Sequence, residues 1–138
     1  MKQYLCKMPS GLYYLGDLCY VIQDRELWDK MCEEHFSGDF NGKFTTAENL
    51  TVWNCSTYYG DGCFEDQDGY FYPVDSGSIG IILIDDNYRE LLKYEQVAPL
   101  QSLEDDELGR VKLFDDEFEV WYENGIFYFG EIAINTRE

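Results

Sequence analysis

The apolar residues of this chain recur mostly at every second position, in short runs broken by turn residues, and that period predicts strands. The clearest case runs from Tyr58 to Asp85, YYGDGCFEDQDGYFYPVDSGSIGIILID. Two turn clusters inside it separate aromatic and β-branched runs. Three consecutive strands are expected, at Val52–Tyr59, Tyr70–Val74 and Ile79–Ile84. Upstream, Gln3–Met8 alternates loosely and Pro9-Ser10-Gly11 signals a turn. Leu12–Leu15 and Leu18–Ile22 then read as strands divided by Gly16-Asp17. The last third reads as a meander of Val111–Phe114, Glu117–Tyr122, Ile126–Phe129 and Glu131–Asn135. Its Asn124-Gly125 pair is the strongest hairpin signal in the chain, because a type I′ turn needs positive φ at both central residues. Gly130 marks a bulge or bend.

Helical spacing appears once with force. Asp24 is a good N-cap for Arg25–Phe36, where Leu27, Trp28, Met31, Cys32 and His35 or Phe36 form one apolar stripe. Asp86–Tyr94 reads as a short second helix, closed by Pro99. The pattern therefore predicts an α+β fold. A twisted, mostly antiparallel sheet, open or curled into a partial barrel, packs against one main helix and buries its stripe. A length of 138 residues suits a single domain over 1–138.

Composition sharpens this picture at one point. The chain carries 28 acidic and 10 basic residues, a net charge of −18, and 17% of its residues are aromatic. Such a surface repels nucleic acid and anionic lipid, and it attracts basic partners. A basic protein surface is the expected partner, with no direct nucleic-acid binding and no membrane. Five cysteines, an odd number without a CxxC pair, follow an N-terminus that opens on Lys2 without a signal-peptide pattern. Reduced thiols and a cytoplasmic location are expected. The longest apolar run, Ile79–Ile84, is too short to span a bilayer.

Four groups of residues invite a chemical reading. Asp61, Asp66, Asp68 and Asp75 lie near the turns of the central stretch, and a hairpin would bring the first three together. Their oxygens suit a hard divalent cation, but the spacing lacks the later ligands of an EF-hand. Asp and Gly also simply make turns, so no metal and no cofactor is expected. Cys19, Asp17 and His35 supply the residue types of an acyl-transfer triad. Cys19 sits in an apolar run, however, and packing is the better account. Ser76 and Ser78 flank Gly77 without a nucleophile motif, and turn capping explains them. Acid runs lie at Glu104–Glu107 and Asp115–Glu117. Trp121 and Tyr122 alternate along their strand, so one ring of the pair faces the acid and provides an apolar anchor.

Tyr14–Ile22, a tryptophan-containing helix, and Tyr59–Gly80 together resemble a family of small uncharacterised bacteriophage and bacterial proteins. Its signatures read GD-P-CY at the first site and YGDG followed by VDSG or VDAG at the second. Leu18 stands here where the family has proline. The resemblance covers about two-thirds of the chain. It implies a phage or mobile-element setting and an accessory protein that binds or inhibits a host protein. It assigns no catalytic residue.

The sequence thus points to a non-enzymatic acidic binding protein engaging a basic surface, with nucleic-acid mimicry as one form. Asp17, Asp61, Asp75, Glu104, Asp106, Glu107 and Trp121 are its expected binding residues. The alternative is a small hydrolase or ligand-binding enzyme that uses Asp17, Asp61 and Asp75, with or without a divalent metal.

Overall fold

The computed structural model describes residues 2–20, 42–45, 51–86 and 109–137. Strand makes up 63% of the described chain and helix 4%, which corrects the α+β expectation. No main helix occurs among the described residues, and the helix expected over Arg25–Phe36 lies outside them, as does all but Asp86 of the one over Asp86–Tyr94.

The strands are β1 (Gln3–Met8), β2 (Gly11–Gly16), β3 (Gly42–Thr45), β4 (Thr51–Ser56), β5 (Gly62–Glu65), β6 (Phe71–Val74), β7 (Ser78–Leu83), β8 (Arg110–Phe114), β9 (Phe118–Glu123), β10 (Ile126–Phe129) and β11 (Ile132–Asn135). They form a four-stranded sheet, β1-β9-β10-β11, a five-stranded sheet, β3-β4-β7-β2-β8, and the separate hairpin β5-β6. Two sheets therefore replace the single or barrel-like sheet expected. The meander is also corrected. The Asp115-Asp116 bend carries the chain from β8 in one sheet to β9 in the other.

The larger sheets share a core. Met8, Val120, Phe127, Phe129, Ile132 and Ile134 come from one; Tyr13, Leu15, Trp53, Cys55, Ile79 and Ile81 come from the other. Each set follows the two-residue period of its strands. The Trp53 ring meets Phe129 and Phe127 edge-on, at centroid distances of 5.6 and 6.0 Å, a favoured aromatic geometry. Five consecutive residues of β7, Ser78 to Ile82, are buried, as in a strand covered on both faces.

Two local devices tie the sheets and guard their edges. β1 bulges between Gln3 and Cys6, with Tyr4 at φ 57°. The irregularity leaves the Tyr4 carbonyl to accept the Trp53 indole N–H at 2.9 Å, a bond from sheet to sheet. On the other side, Gln67 docks its side-chain amide on β11. Its Nε2 donates to the Glu131 carbonyl at 2.5 Å, and its Oε1 accepts the Ala133 N–H at 3.0 Å.

Two further corrections have local causes. Leu18–Ile22, expected as a strand, opens instead with a 3-10 turn over Leu18–Tyr20. The Asp17 carboxylate accepts the Cys19 N–H at 3.0 Å and so turns the chain where a strand would run on. Gly62–Glu65, expected as part of a turn, is a strand, β5. Its residues are almost all exposed, so no apolar alternation marks it.

Candidate functional site

The site grows from one buried acid. β2 ends at Gly16, and Asp17 follows with its side chain fully buried. Its Oδ1 accepts the Cys19 N–H at 3.0 Å and the Ser76 hydroxyl at 2.7 Å. Its Oδ2 accepts the N–H groups of Asp75 and Ser76, each at 2.7 Å. A carboxylate has about four acceptor positions, and all are filled here by protein donors. Asp17 is thus a pin that holds the 75–77 turn against the end of β2.

The neighbouring loop is fastened to the same turn. The Thr57 N–H donates to the Gly77 carbonyl at 3.0 Å, and the Thr57 hydroxyl donates to the Gly60 carbonyl. Gly77 has φ 78°, a conformation glycine takes without strain. A β-carbon placed on it would stand 3.8 Å from Asp61 Oδ1. The three stretches around Asp17, Asp61 and Asp75 therefore meet at one corner. Asp17 is interior, while Asp61 and Asp75 are exposed.

Cys19 sits among these acids. Burial pushes its thiol far up, and a hydrogen bond to Asp17 and the charges of Asp17, Asp75 and Asp61 push it further. A thiol so placed stays protonated and is a poor nucleophile. Ser76 Oγ stands 3.0 Å from Ser78 Oγ and is engaged with Asp17, so turn capping accounts for it. His35 lies outside the described residues. Among the described residues, no group of three or more His, Cys, Asp or Glu is placed to hold a metal ion.

The corner carries aromatic rings that the sequence reading did not single out. Tyr59 is 70% exposed and Tyr58 48% exposed, with ring centroids 4.7 Å apart, edge to face. The Tyr58 N–H reaches Thr136 Oγ1 at 3.3 Å, and the Arg137 guanidinium lies 5.2 Å from the Tyr58 ring. The signal was two adjacent aromatics running into Gly-Asp-Gly. Strand alternation assigns one ring of such a pair to the interior, but β4 stops at Ser56, and both rings emerge.

Asp61, Asp66 and Asp68, expected to meet, do not. Glu65 pairs with Phe71 at one end of the β5–β6 hairpin, and Gly62 pairs with Val74 at the other. Asp61 therefore sits at the end opposite Asp66. Asp66 is buried and accepts N–H groups from Asp68 at 2.8 Å and Tyr70 at 3.1 Å. Its Oδ2 takes the Tyr72 hydroxyl at 2.6 Å and Arg110 Nη1 at 3.0 Å. Burial alone would raise this carboxyl. The bonds from Tyr72, the two backbone N–H groups and Arg110 outweigh it and hold Asp66 below the usual range. Arg110 also pairs with Asp68 at 2.9 Å and lies 4.2 Å from the Tyr70 ring. The cluster fixes the hairpin tip to β8, and its buried carboxylate has no open coordination position.

Trp121 stands apart from both clusters. Tyr122, its neighbour, packs against the core, and Trp121 takes the opposite face of the four-stranded sheet, as alternation requires. Glu104, Asp106 and Glu107 lie outside the described residues.

Among the described residues, no helix is long and apolar enough to cross a membrane. Comparison of the chain with family models, curated proteins and solved structures finds no match. The structure itself defines an antiparallel two-sheet β protein with a pinned acidic corner.

Proposed function

We propose that this chain is a non-enzymatic acidic binding protein whose corner presents Tyr58 and Tyr59, with Asp61 and Asp75, to a basic protein surface. The carrying observation is the pin: a buried carboxylate fixes the 75–77 turn through three hydrogen bonds, and the Thr57 N–H fastens the loop of Tyr58, Tyr59 and Asp61 to that turn. A loop ordered before binding loses little entropy on binding, which favours affinity. Exposed tyrosines are common anchors of binding surfaces, because they bury large area with few rotatable bonds. The surrounding acid steers a cationic partner and selects against anionic ones.

The hydrolase alternative loses support at the same corner. Asp17 has no open lone pair for a metal or a proton transfer, and the Cys19 thiol is held protonated. A cytoplasmic setting suits the free cysteines. The resemblance to small phage and bacterial proteins suits an accessory or inhibitor that engages a host protein, including one whose basic surface ordinarily holds nucleic acid.

The test begins with a pull-down from the producing cell or its host. Association rates are then measured from about 50 to about 500 mM salt, a range that changes screening strongly. Asp61→Asn/Asp75→Asn should slow association and flatten its salt dependence, while Tyr59→Ala should speed dissociation. If both variants bind as the wild type does, the corner is not the binding site. Finding no saturable basic partner would end the reading.

A further inference from the structure

The outer face of the four-stranded sheet carries a row of rings. Trp121 on β9 pairs in register with Tyr128 on β10, and Tyr128 pairs with Ala133 on β11. The Trp121 and Tyr128 rings stack at 4.7 Å with planes 12° apart. Two-residue alternation puts Glu119 and Glu123 on the same face, on either side of Trp121. Lys7 lies opposite Glu119. The small Ala133 side chain leaves the far flank of Tyr128 without a bulky neighbour in its row.

One cation already rests on this row. Lys2 Nζ stands 4.2 Å from the Trp121 ring centroid, within cation–π range. Gln3 is in register with Tyr122, so Lys2, one residue earlier, reaches the level of Glu123. A tryptophan face beside a carboxylate is the arrangement that recognises an alkylammonium or guanidinium group. Lys2 directly precedes β1, whose pairing with β9 shifts register between Gln3 and Cys6.

We propose that Trp121, stacked on Tyr128, forms a shelf for a lysine or arginine side chain of the basic partner, and that Lys2 occupies the Trp121 ring in the free protein. This rests on the reading above as to the partner's charge, but it uses a different face. Lys2 is then an internal competitor. The partner's cation displaces it, and the apparent affinity falls by the fraction of shelf that Lys2 fills.

The probe is an acetylated oligolysine peptide, titrated into the full chain by calorimetry at low and at moderate salt. Lys2→Gln should tighten binding severalfold. Lys7→Gln makes the same change in net charge on the same strand, and it should tighten binding much less. Trp121→Phe, which keeps a ring but weakens its negative face, should loosen binding and abolish the gain from Lys2→Gln. In the wild type, the Lys2 εCH2 protons should show an upfield ring-current shift that vanishes as peptide is added. Equal gains from Lys2→Gln and Lys7→Gln, or a Trp121→Phe chain that binds as the wild type does, would overturn the shelf. If the Tyr59 and Asp61/Asp75 variants still weaken binding to the natural partner in that event, the corner reading stands without the shelf. If none of the variants matters, both fall.

Discussion

Asp17 and Ser76 are separated by 59 positions in the chain and joined twice, through the Ser76 N–H on Oδ2 and the Ser76 hydroxyl on Oδ1, both at 2.7 Å. The two bonds cross from the end of one strand to the turn before another, so they measure tertiary structure directly. They hold the turn that carries Asp75 in place, and the loop that carries Asp61 is fastened to it through the Thr57 N–H on the Gly77 carbonyl.

Asp17→Asn keeps the shape but turns one oxygen into an N–H2 donor. Whichever way the amide is placed, it faces N–H or O–H groups that already point at it. A loss of roughly 2–4 kcal/mol is expected, since buried donors lose their acceptor. Ser76→Ala should cost about 1 kcal/mol. In a double-mutant cycle by urea denaturation the two losses should fall well short of additive. Full additivity would show that the side chains do not act together.

Asp66 should make the protein acid-sensitive. Its folded carboxyl titrates below the usual range, so its stabilisation is present above the unfolded value of about 3.9. That stabilisation is lost as pH falls through the folded value, where the unfolded chain takes up protons first. Asp66→Asn should cost roughly 2–3 kcal/mol near neutral pH and flatten the stability profile on the acid side. Denaturation at a series of pH values reads both. A parallel profile for wild type and variant would contradict the assignment.

The turn between β9 and β10 has Asn124 at φ 51° and Gly125 at φ 83°, as a type I′ hairpin requires. A β-carbon at Gly125 would also come within 2.8 Å of Arg137 Cβ and 3.2 Å of Tyr58 Cβ. Gly125→Val should therefore destabilise by roughly 1–3 kcal/mol. Thermal unfolding would detect it, and an unchanged midpoint would contradict it.

The thiols should react in order. Cys6, Cys19, Cys55 and Cys63 are free, with Cys63 exposed and Cys55 buried. Burial pushes the Cys55 thiol up to about 12, against a small opposing bond to Ser56, and Cys19 is pushed higher still. Under native, mildly alkaline conditions Cys63 should be modified first, with Cys19 and Cys55 slowest. Both thiols titrate lower once unfolded, so stability should decline as pH rises past about 8.5. Time-resolved thiol titration with mass mapping checks the order, and early labelling of Cys19 would refute its placement.

Most strands were legible because their faces differ. β1, β2 and β6 to β11 fall close to where alternation and turn chemistry put them, and the Asn124-Gly125 hairpin needed only local information. Sheet membership was not legible. Alternation tells which way a side chain points and says nothing of which strand lies alongside, so the switch of sheets at Asp115-Asp116 left no trace. The site was legible in part. Asp17, Asp61 and Asp75 could be named from their turn settings, but not told apart. One is a buried pin and two are surface groups only because a turn 59 residues away supplies the donors for the first. Asp66 was grouped with Asp61 because its true partner, Arg110, lies 44 residues on.

The docking of Gln67 on β11 has a consequence for the molecule among its own copies. A peptide group offers one acceptor and one donor to the strand beside it, and the Gln67 amide offers the same two to Glu131 and Ala133. It occupies the place that the backbone of another molecule would take in edge-to-edge growth. Together with the backbone bridge between Asp66 and Ile134, this side chain acts as a terminator, ending the hydrogen-bonded ladder along β11 before a second molecule can extend it.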